Sequence, residues 1–541
     1  MRNSFRWLIL KRMKALFNSR IKIWLTSCGR YEKGRERYVE KRQNTYQVHF
    51  KDQAVTTMVM EGTTLLQAEI DAGLVPDAPC GGQGKCGKCR VFMDGKEVLA
   101  CQTKIQKDCQ VRLLKNEKEK AHILNSGILR DVPCHPGVLP KEVRRPILAA
   151  VDLGTTTIVA YLMDGESGEL LCTRSMLNPQ REYGADVVMR CSYVLEHGPR
   201  DLSGCVREAI DSLLGEAAAA VHRRREEIVK VVMAGNTCMH HLFLEFPVDT
   251  LVKAPYVPRV TKAVERKAFD CGFHLWNGAS VLWLPNIGGF VGADTTACML
   301  EAEFDRRQEL TLLVDIGTNG EMILGNRDGF TVCSTAAGPA FEGAKITCGM
   351  RGSEGAIDHV YLKDGKVEFH VIGGGAPAGI CGSGLLDAVY CLLQTGWIRE
   401  DGYMKEPWHF SKEVFLNQKD VRELQLAKAA IAAGIRLLCR KRGCRVSEIQ
   451  TLLLAGAFGN YLDPESACGI GLLPEALRER ILPVGNAAGA GARLAVLSLE
   501  EFRRAEKLAE KAEFLELAAE PDFMDVYVDE MSYAKEDWYG N

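Results

Sequence analysis

The chain runs to 541 residues, 46% hydrophobic and 26% charged, with a formal net charge of −2; a length beyond one core predicts about two to four domains of ordinary globular composition. No apolar run approaches the ~18 residues that cross a bilayer, so no helical membrane span is expected. Residues 1–44 carry 13 Lys/Arg against 3 Glu, which leaves the rest near −12, and an acidic body lacks the basic stripe that a nucleic-acid surface requires.

The stretch "FRWLILKRMKALFNSRIKIWL" is amphipathic, basic and free of acids, a pattern that suits an interfacial helix or a targeting segment. The simpler reading is a poorly ordered extension over residues 1–45, ahead of a domain that begins near Tyr46. Twenty cysteines are scattered along the chain, but they cluster tightly only once. Without a secretory signal, that usage favours metal over disulfides and predicts a reducing, cytoplasmic setting.

"QVHFKDQAVTTMVM" (47–60) predicts two strands rich in Val and Thr, joined by a tight polar turn. "GTTLLQAEIDAG" predicts a short helix capped by Thr63 or Thr64, with Leu66 and Ile70 on one face and Gly73 as its stop. "APCGGQGKCGKCRV" then places Cys80, Cys86 and Cys89 in one loop, and Cys101 follows in "VLACQT". Three thiolates from a loop and a fourth from a nearby strand can enclose a [2Fe–2S] centre. Gly81, Gly82, Gly84 and Gly87 allow backbone N–H groups to turn toward the sulfurs and offset their charge. Structural zinc sites usually pair two C-x-x-C knuckles, and only one stands here. Residues 46–113 therefore resemble the ferredoxin β-grasp domain. The first cysteine gap matches the adrenodoxin-type loop, whereas the gap to the fourth is short, which leaves Cys109 open as an alternative to Cys101.

A hinge-like linker, 114–146, precedes "ILAAVDLGTTTIVAYLMDGESGELL", and much later the chain reads "LTLLVDIGTNGEMILGNRDGFTV". Both copies pair a buried strand with Asp-x-Gly-Thr and a returning strand, which reads as a duplicated unit. Backbone N–H groups around Gly154, Thr155 and Thr156, and around Gly317, Thr318 and Asn319, can cradle phosphate oxygens. An aspartate at the strand end can hold Mg²⁺ through its waters or orient the attacking water. Asp152 and Asp315 are thus candidate catalytic carboxylates, with Glu321 as a further orienter of water or Mg²⁺. A third element, "TLLLAGAFGN", runs an apolar strand into Gly456, Ala457, Phe458 and Gly459, a turn suited to the close approach of an adenosine. No Walker A motif is present, which disfavours a P-loop fold.

These motifs resemble the ASKHA superfamily, the actin-like (ribonuclease H-like) ATPase fold of sugar kinases and Hsp70. The resemblance implies a first lobe over 147–310 and a second lobe with a C-terminal segment over 311–530. It also places Glu342 and Lys345 near the ribose or adenine of ATP. The fold class expected is multi-domain α/β: a β-grasp ferredoxin followed by a duplicated ASKHA body.

The fusion of the two parts resembles the reductive activators of corrinoid proteins, over roughly residues 46 to 530. The blocks that carry it include "LNPQREYGADVVMR", "GNTCMHHL", "PNIGGFVGADTTA", "STAAGPAFEGAKITCGMR", "GICGSGLLDAV" and "LAGAFGNYLDPESA". The resemblance implies ATP-driven return of an inactive Co(II) corrinoid to Co(I), with a corrinoid methyl-transfer protein downstream and an electron donor protein upstream. For an uphill gap of about 0.2 V, a one-electron step costs roughly 5 kcal/mol, which gives a nucleotide a task. Two other readings stay open at this point. One is activation of another low-potential metalloenzyme, as in the activators of 2-hydroxyacyl-CoA dehydratases, whose cluster cysteines Cys348 and Cys381 resemble. The other is a nucleotide-gated electron carrier without turnover. Oligomeric state is unfixed, a homodimer included. Departures from the family pattern are a short spacer of about 35 residues after Val111 and a tail without cysteine.

Overall fold

The computed structural model describes residues 45–51, 55–72, 89–113, 130, 132–459 and 461–533. The basic extension, most of the cluster loop and the first half of the expected linker lie outside them. The chain divides into two compact units.

The first unit is a five-stranded sheet in the order β2-β1-β5-β3-β4. β1 (Thr45–Phe50) and β2 (Val55–Met60) form the expected antiparallel pair. β5 (Cys109–Leu113) then runs parallel to β1 and antiparallel to β3 (Arg90–Met93). β3 and β4 (Lys96–Leu99) are joined through Asp94 and Gly95 at φ 50° and 85°, the twist that a two-residue hairpin loop requires. The helix Leu65–Asp71 begins where Thr64 Oγ1 accepts the Gln67 N–H at 3.2 Å, so Thr64 is its cap. Leu65, Leu66 and Ala68 are buried with Val48, Phe50, Val91 and Val111. That layer of side chains is the core of the β-grasp.

The second unit holds two six-stranded sheets built to one plan. In the first, β6 (Ile147–Leu153), β7 (Thr157–Asp164) and β8 (Leu170–Leu177) form an antiparallel meander. β9 (Ile228–Gly235) lies parallel to β6 on its other side, followed by β11 (Ser280–Trp283) and the edge strand β10 (Val264–Lys267). The second repeats this with β12 (Thr311–Ile316), β13 (Gly320–Asn326) and β14 (Gly329–Thr335) as the meander. β20 (Thr451–Ala455) runs parallel to β12 and β21 (Ile481–Gly485) parallel to β20. Between the meander and the next parallel strand each copy carries two helices, Val187–His197 and Arg200–Ala220 in the first and Gly382–Gln394 and Gln418–Arg442 in the second. The second copy adds β15 (Ala356–Lys363), β16 (Lys366–Val371), β17 (Gly379–Ile380) and the short hairpin β18 (Trp408–His409) and β19 (Phe415–Leu416).

β6 and β12 are central strands buried on both faces, so they read as near-continuous apolar runs broken only by Asp152 and Asp315. One apolar core joins the two sheets through the helices Ala293–Glu301 and Ala487–Leu497. The second helix, "AAGAGARLAVL", is small-sided because a side chain at Gly491 would run into the Ala297 carbonyl. Of the expected linker, Arg130 and residues 132–146 are docked on this unit: Arg130 donates to the Leu300 carbonyl and Glu501 Oε2, and the His135 N–H to the Leu497 carbonyl. The helix Leu499–Lys511 follows the small-sided one. Glu513–Phe514 forms β22, parallel to β14.

Candidate nucleotide cleft and cluster cysteines

Asp152 and Asp315 end the two central strands at equivalent places, Asp152 beside Ala234 of β9 and Asp315 beside Ala455 of β20. The glycines after them each close a tight hairpin, the second loop one residue shorter than the first. Gly154 N–H donates to the Thr157 carbonyl and Gly317 N–H to the Asn319 carbonyl, both at 2.9 Å. Those two N–H groups close their own hairpins, which leaves the following amides of each turn for a ligand. A Cβ at Gly154 would stand 2.8 Å from the Thr157 carbonyl oxygen, so the turn admits only glycine.

The first hairpin is held from behind by residues that motif reading did not single out. Asn178 Nδ2 donates to the Gly154 carbonyl at 2.8 Å, Arg190 Nη2 to the Thr155 carbonyl at 2.7 Å, and Asn236 Nδ2 to Thr155 Oγ1 at 2.9 Å. Thr155 is therefore a structural hydroxyl. Thr156 Oγ1 and Thr318 Oγ1 point instead to one carboxylate, Glu342, at 3.0 and 2.5 Å. Glu342, expected at the nucleoside, thus stands between the phosphate hairpins. Lys345 turns away, exposed and 3.6 Å from Glu423.

Four carboxylates share the cleft. Glu321 lies directly across the β12–β13 ladder from Asp315 and accepts from Ser334 Oγ at 3.1 Å. Asp294 begins the helix Ala293–Glu301. It was missed although it sits in the quoted block "VGADTTA", where a glycine followed by Asp-Thr-Thr signals a helix start. Burial pushes Asp152 and Asp315 up to about 6, with the Asn486 amide opposing the shift at Asp152 and the Cys298 thiol opposing it at Asp315. Asp294 is pushed up to about 7 by burial and by the charges of Asp315 and Asp152. Glu321 is held well above its ordinary range, again by burial first and then by Asp294 and Asp315. Among the described residues no Lys or Arg forms an ion pair with any of the four.

Such a set calls for a cation. Among the described residues no three acidic, His or Cys groups converge closely enough to hold a metal ion by themselves. The nucleoside end fits as well. Gly456 stands at φ 90°, and a Cβ there would meet Asp315 Oδ1 at 2.6 Å and the Ile316 carbonyl oxygen at 2.8 Å. Gly456–Gly459, expected as a glycine-rich turn, is a single turn of helix, and its first residue is thereby brought hard against the strand end that bears Asp315. Phe458 stacks on Phe341 with centroids 4.8 Å apart, and Gly382 is pressed against both.

Of the cluster cysteines, Cys80 and Cys86 lie outside the described residues. Cys89 immediately precedes β3 and Cys101 closely follows β4, so the hairpin returns both to its open end, and both are buried. Cys109, the alternative, opens β5 opposite Val48 in the sheet, and burial raises its thiol.

Comparison with known proteins follows the same division. Residues 27–123 match the 2Fe-2S iron-sulfur cluster binding domain, 148–307 the RACo middle region, and 309–539 the C-terminal ASKHA domain of RACo. The chain is 38% identical over 446 residues to the corrinoid activation enzyme RamQ of Eubacterium limosum, covering 76% of this chain and 74% of that protein. It is 27% identical over 420 residues to the [Co(II) methylated amine-specific corrinoid protein] reductase of Methanosarcina barkeri, covering 71% and 76%. A solved reductive activator for a corrinoid, iron-sulfur protein superposes with a TM-score of 0.66 at 28% identity, over 90% of this chain and 98% of that one.

Proposed function

The chain belongs to the family of corrinoid activation enzymes, and from that premise we propose that it returns the Co(II) corrinoid of a methyl-transfer protein to Co(I), using ATP and one electron. The single observation that carries this reading is the pairing of Asp152 and Asp315 at equivalent strand ends of a duplicated sheet, on the same chain as a cysteine-bearing β-grasp.

Cys80, Cys86, Cys89 and Cys101 hold a [2Fe–2S] centre, which supplies one-electron chemistry when bound. The turns at Thr155–Thr156 and Thr318–Asn319 receive the ATP phosphates, and Gly456–Gly459 the nucleoside. Asp152, Asp294, Asp315 and Glu321 hold Mg²⁺ through its waters, and Asp152 or Asp315 orients the attacking water. A separate protein reloads the cluster, and the setting is cytoplasmic. Among the described residues no helix is long and apolar enough to cross a membrane.

ATP can drive an uphill electron transfer only if the nucleotide states differ in their grip on the partner. The expected sequence is binding, hydrolysis and release once per Co(I) formed. The test mixes prereduced protein, Co(II) corrinoid protein and nucleotide, and follows the visible spectrum of the corrinoid. ATP should support many turnovers and a non-hydrolysable analogue at most one. Equal multiple turnover with the analogue would refute the coupling.

A further inference from the structure

One carboxylate joins the two phosphate hairpins: Glu342 accepts the Thr156 hydroxyl on Oε2 and the Thr318 hydroxyl on Oε1. Thr156 stands in the turn between β6 and β7, Thr318 in the corresponding turn between β12 and β13. The two donors thus converge on one anion, each taking a different oxygen. Hydrogen bonds to an ionised acceptor are the strong ones, and a phosphate edge presents two oxygens in much the same way. No Lys or Arg among the described residues forms an ion pair with Glu342, and Lys345, three residues on, is engaged with Glu423. Among the described residues the carboxylate of Glu342 thus meets two hydroxyls and no cation.

From this geometry we infer that Glu342 is an internal stand-in for phosphate, which latches the hairpins together until the phosphates of the nucleotide take its place. The inference rests on the nucleotide reading of the cleft and assigns Glu342 a different task from a nucleoside contact. Binding of ATP is an exchange of one anion for another at Thr156 and Thr318. Glu342 is a positioning residue that sets affinity for the phosphates and leaves the nucleoside end alone.

The experiment measures binding of ATP, pyrophosphate and adenosine to the full chain and to Glu342→Gln and Glu342→Ala. Glu342→Gln keeps the size and one acceptor, so it tests charge without opening a hole. Both variants should bind ATP and pyrophosphate about tenfold more tightly, ~1.4 kcal/mol, with adenosine unchanged within about twofold. Unchanged or weaker pyrophosphate binding in both would overturn the latch, and weaker adenosine binding would assign the carboxylate to the nucleoside after all. A second readout needs no substitution. In the parent chain, amide exchange over residues 338–347 should quicken with pyrophosphate and stay unchanged with adenosine; slowing with pyrophosphate overturns the proposal. A parent chain that binds neither ATP nor pyrophosphate overturns the nucleotide reading along with it.

Discussion

Asn486 donates from Nδ2 to Asp152 Oδ2 at 2.8 Å, which ties the start of the helix Ala487–Leu497 to β6. The amide cannot flip freely. Its Oδ1 is the helix cap, accepting the Gly489 N–H at 2.7 Å, and Nδ2 also reaches Tyr161 Oη at 3.2 Å. One side chain thus caps a helix and aims a donor at a carboxylate that burial would otherwise protonate. Asn486→Asp separates the two tasks, since an aspartate caps as well but cannot donate. Steady phosphate release at pH 7 should fall about 10²-fold, with the melting temperature lowered by only a few degrees. Wild-type turnover in the folded variant would remove Asn486 from the mechanism.

The acidic cleft predicts a pH dependence with a definite sign. Asp152 and Asp315 are raised to about 6 and Asp294 to about 7, against about 3.9 for an unfolded aspartate. Between those values the folded chain keeps protons that the unfolded chain has released. The stability contribution of these groups is therefore fully present below about pH 4 and is lost as pH rises through 6 to 7. Asp294→Asn removes one charge from the cluster. The nucleotide-free variant should melt a few degrees above the parent at pH 8 and close to it at pH 5, measured by scanning calorimetry. Mg²⁺ with ATP should narrow the gap, because the parent then gains the cation its carboxylates call for. A difference that does not vary with pH would contradict the shared-charge account.

Strand ends with a forced turn were legible from the sequence, and residues brought in from afar were not. Asp152, Gly154, Asp315 and Gly317 announce themselves because one apolar strand, one acid and one glycine recur together. Thr64 was readable as a helix cap on purely local grounds. Asn486 and Asp294 lie far along the chain from Asp152, and only their helix-start signatures were local, which says nothing about what the side chain meets. Glu342 was placed by analogy at the nucleoside, whereas the turn that carries it delivers the carboxylate to two hydroxyls from different hairpins.

Gly456→Ala tests the contact between the proposed nucleoside turn and β12. A residue at φ 90° is strained for any L side chain, and the added methyl would meet both Asp315 Oδ1 and the Ile316 carbonyl oxygen. Together these should cost ~2–4 kcal/mol, and the turn can relieve the clash only by moving off the strand. ATP affinity should fall more than pyrophosphate affinity, as read by calorimetry on the folded fraction. An equal loss for both ligands would place Gly456 at the phosphates instead.

The fourth cluster ligand can be settled by a pair of substitutions. Cys101 lies past the end of β4, at the open end of the hairpin that also delivers Cys89, whereas Cys109 is the first residue of a central strand and packs into the β-grasp core. Burial raises the Cys109 thiol, which resists the thiolate form that iron requires. After anaerobic reconstitution, Cys101→Ser should lose most of the iron and the visible absorption of a [2Fe–2S] centre. Cys109→Ala should keep both and lose ~1–2 kcal/mol of stability from the small hole it leaves. Nucleotide binding should persist in each, because the cleft is built within the other compact unit. If Cys109→Ala loses the absorption while Cys101→Ser retains it, the ligand set is Cys80, Cys86, Cys89 and Cys109, and the head of β5 must turn its first residue out of the core to serve it.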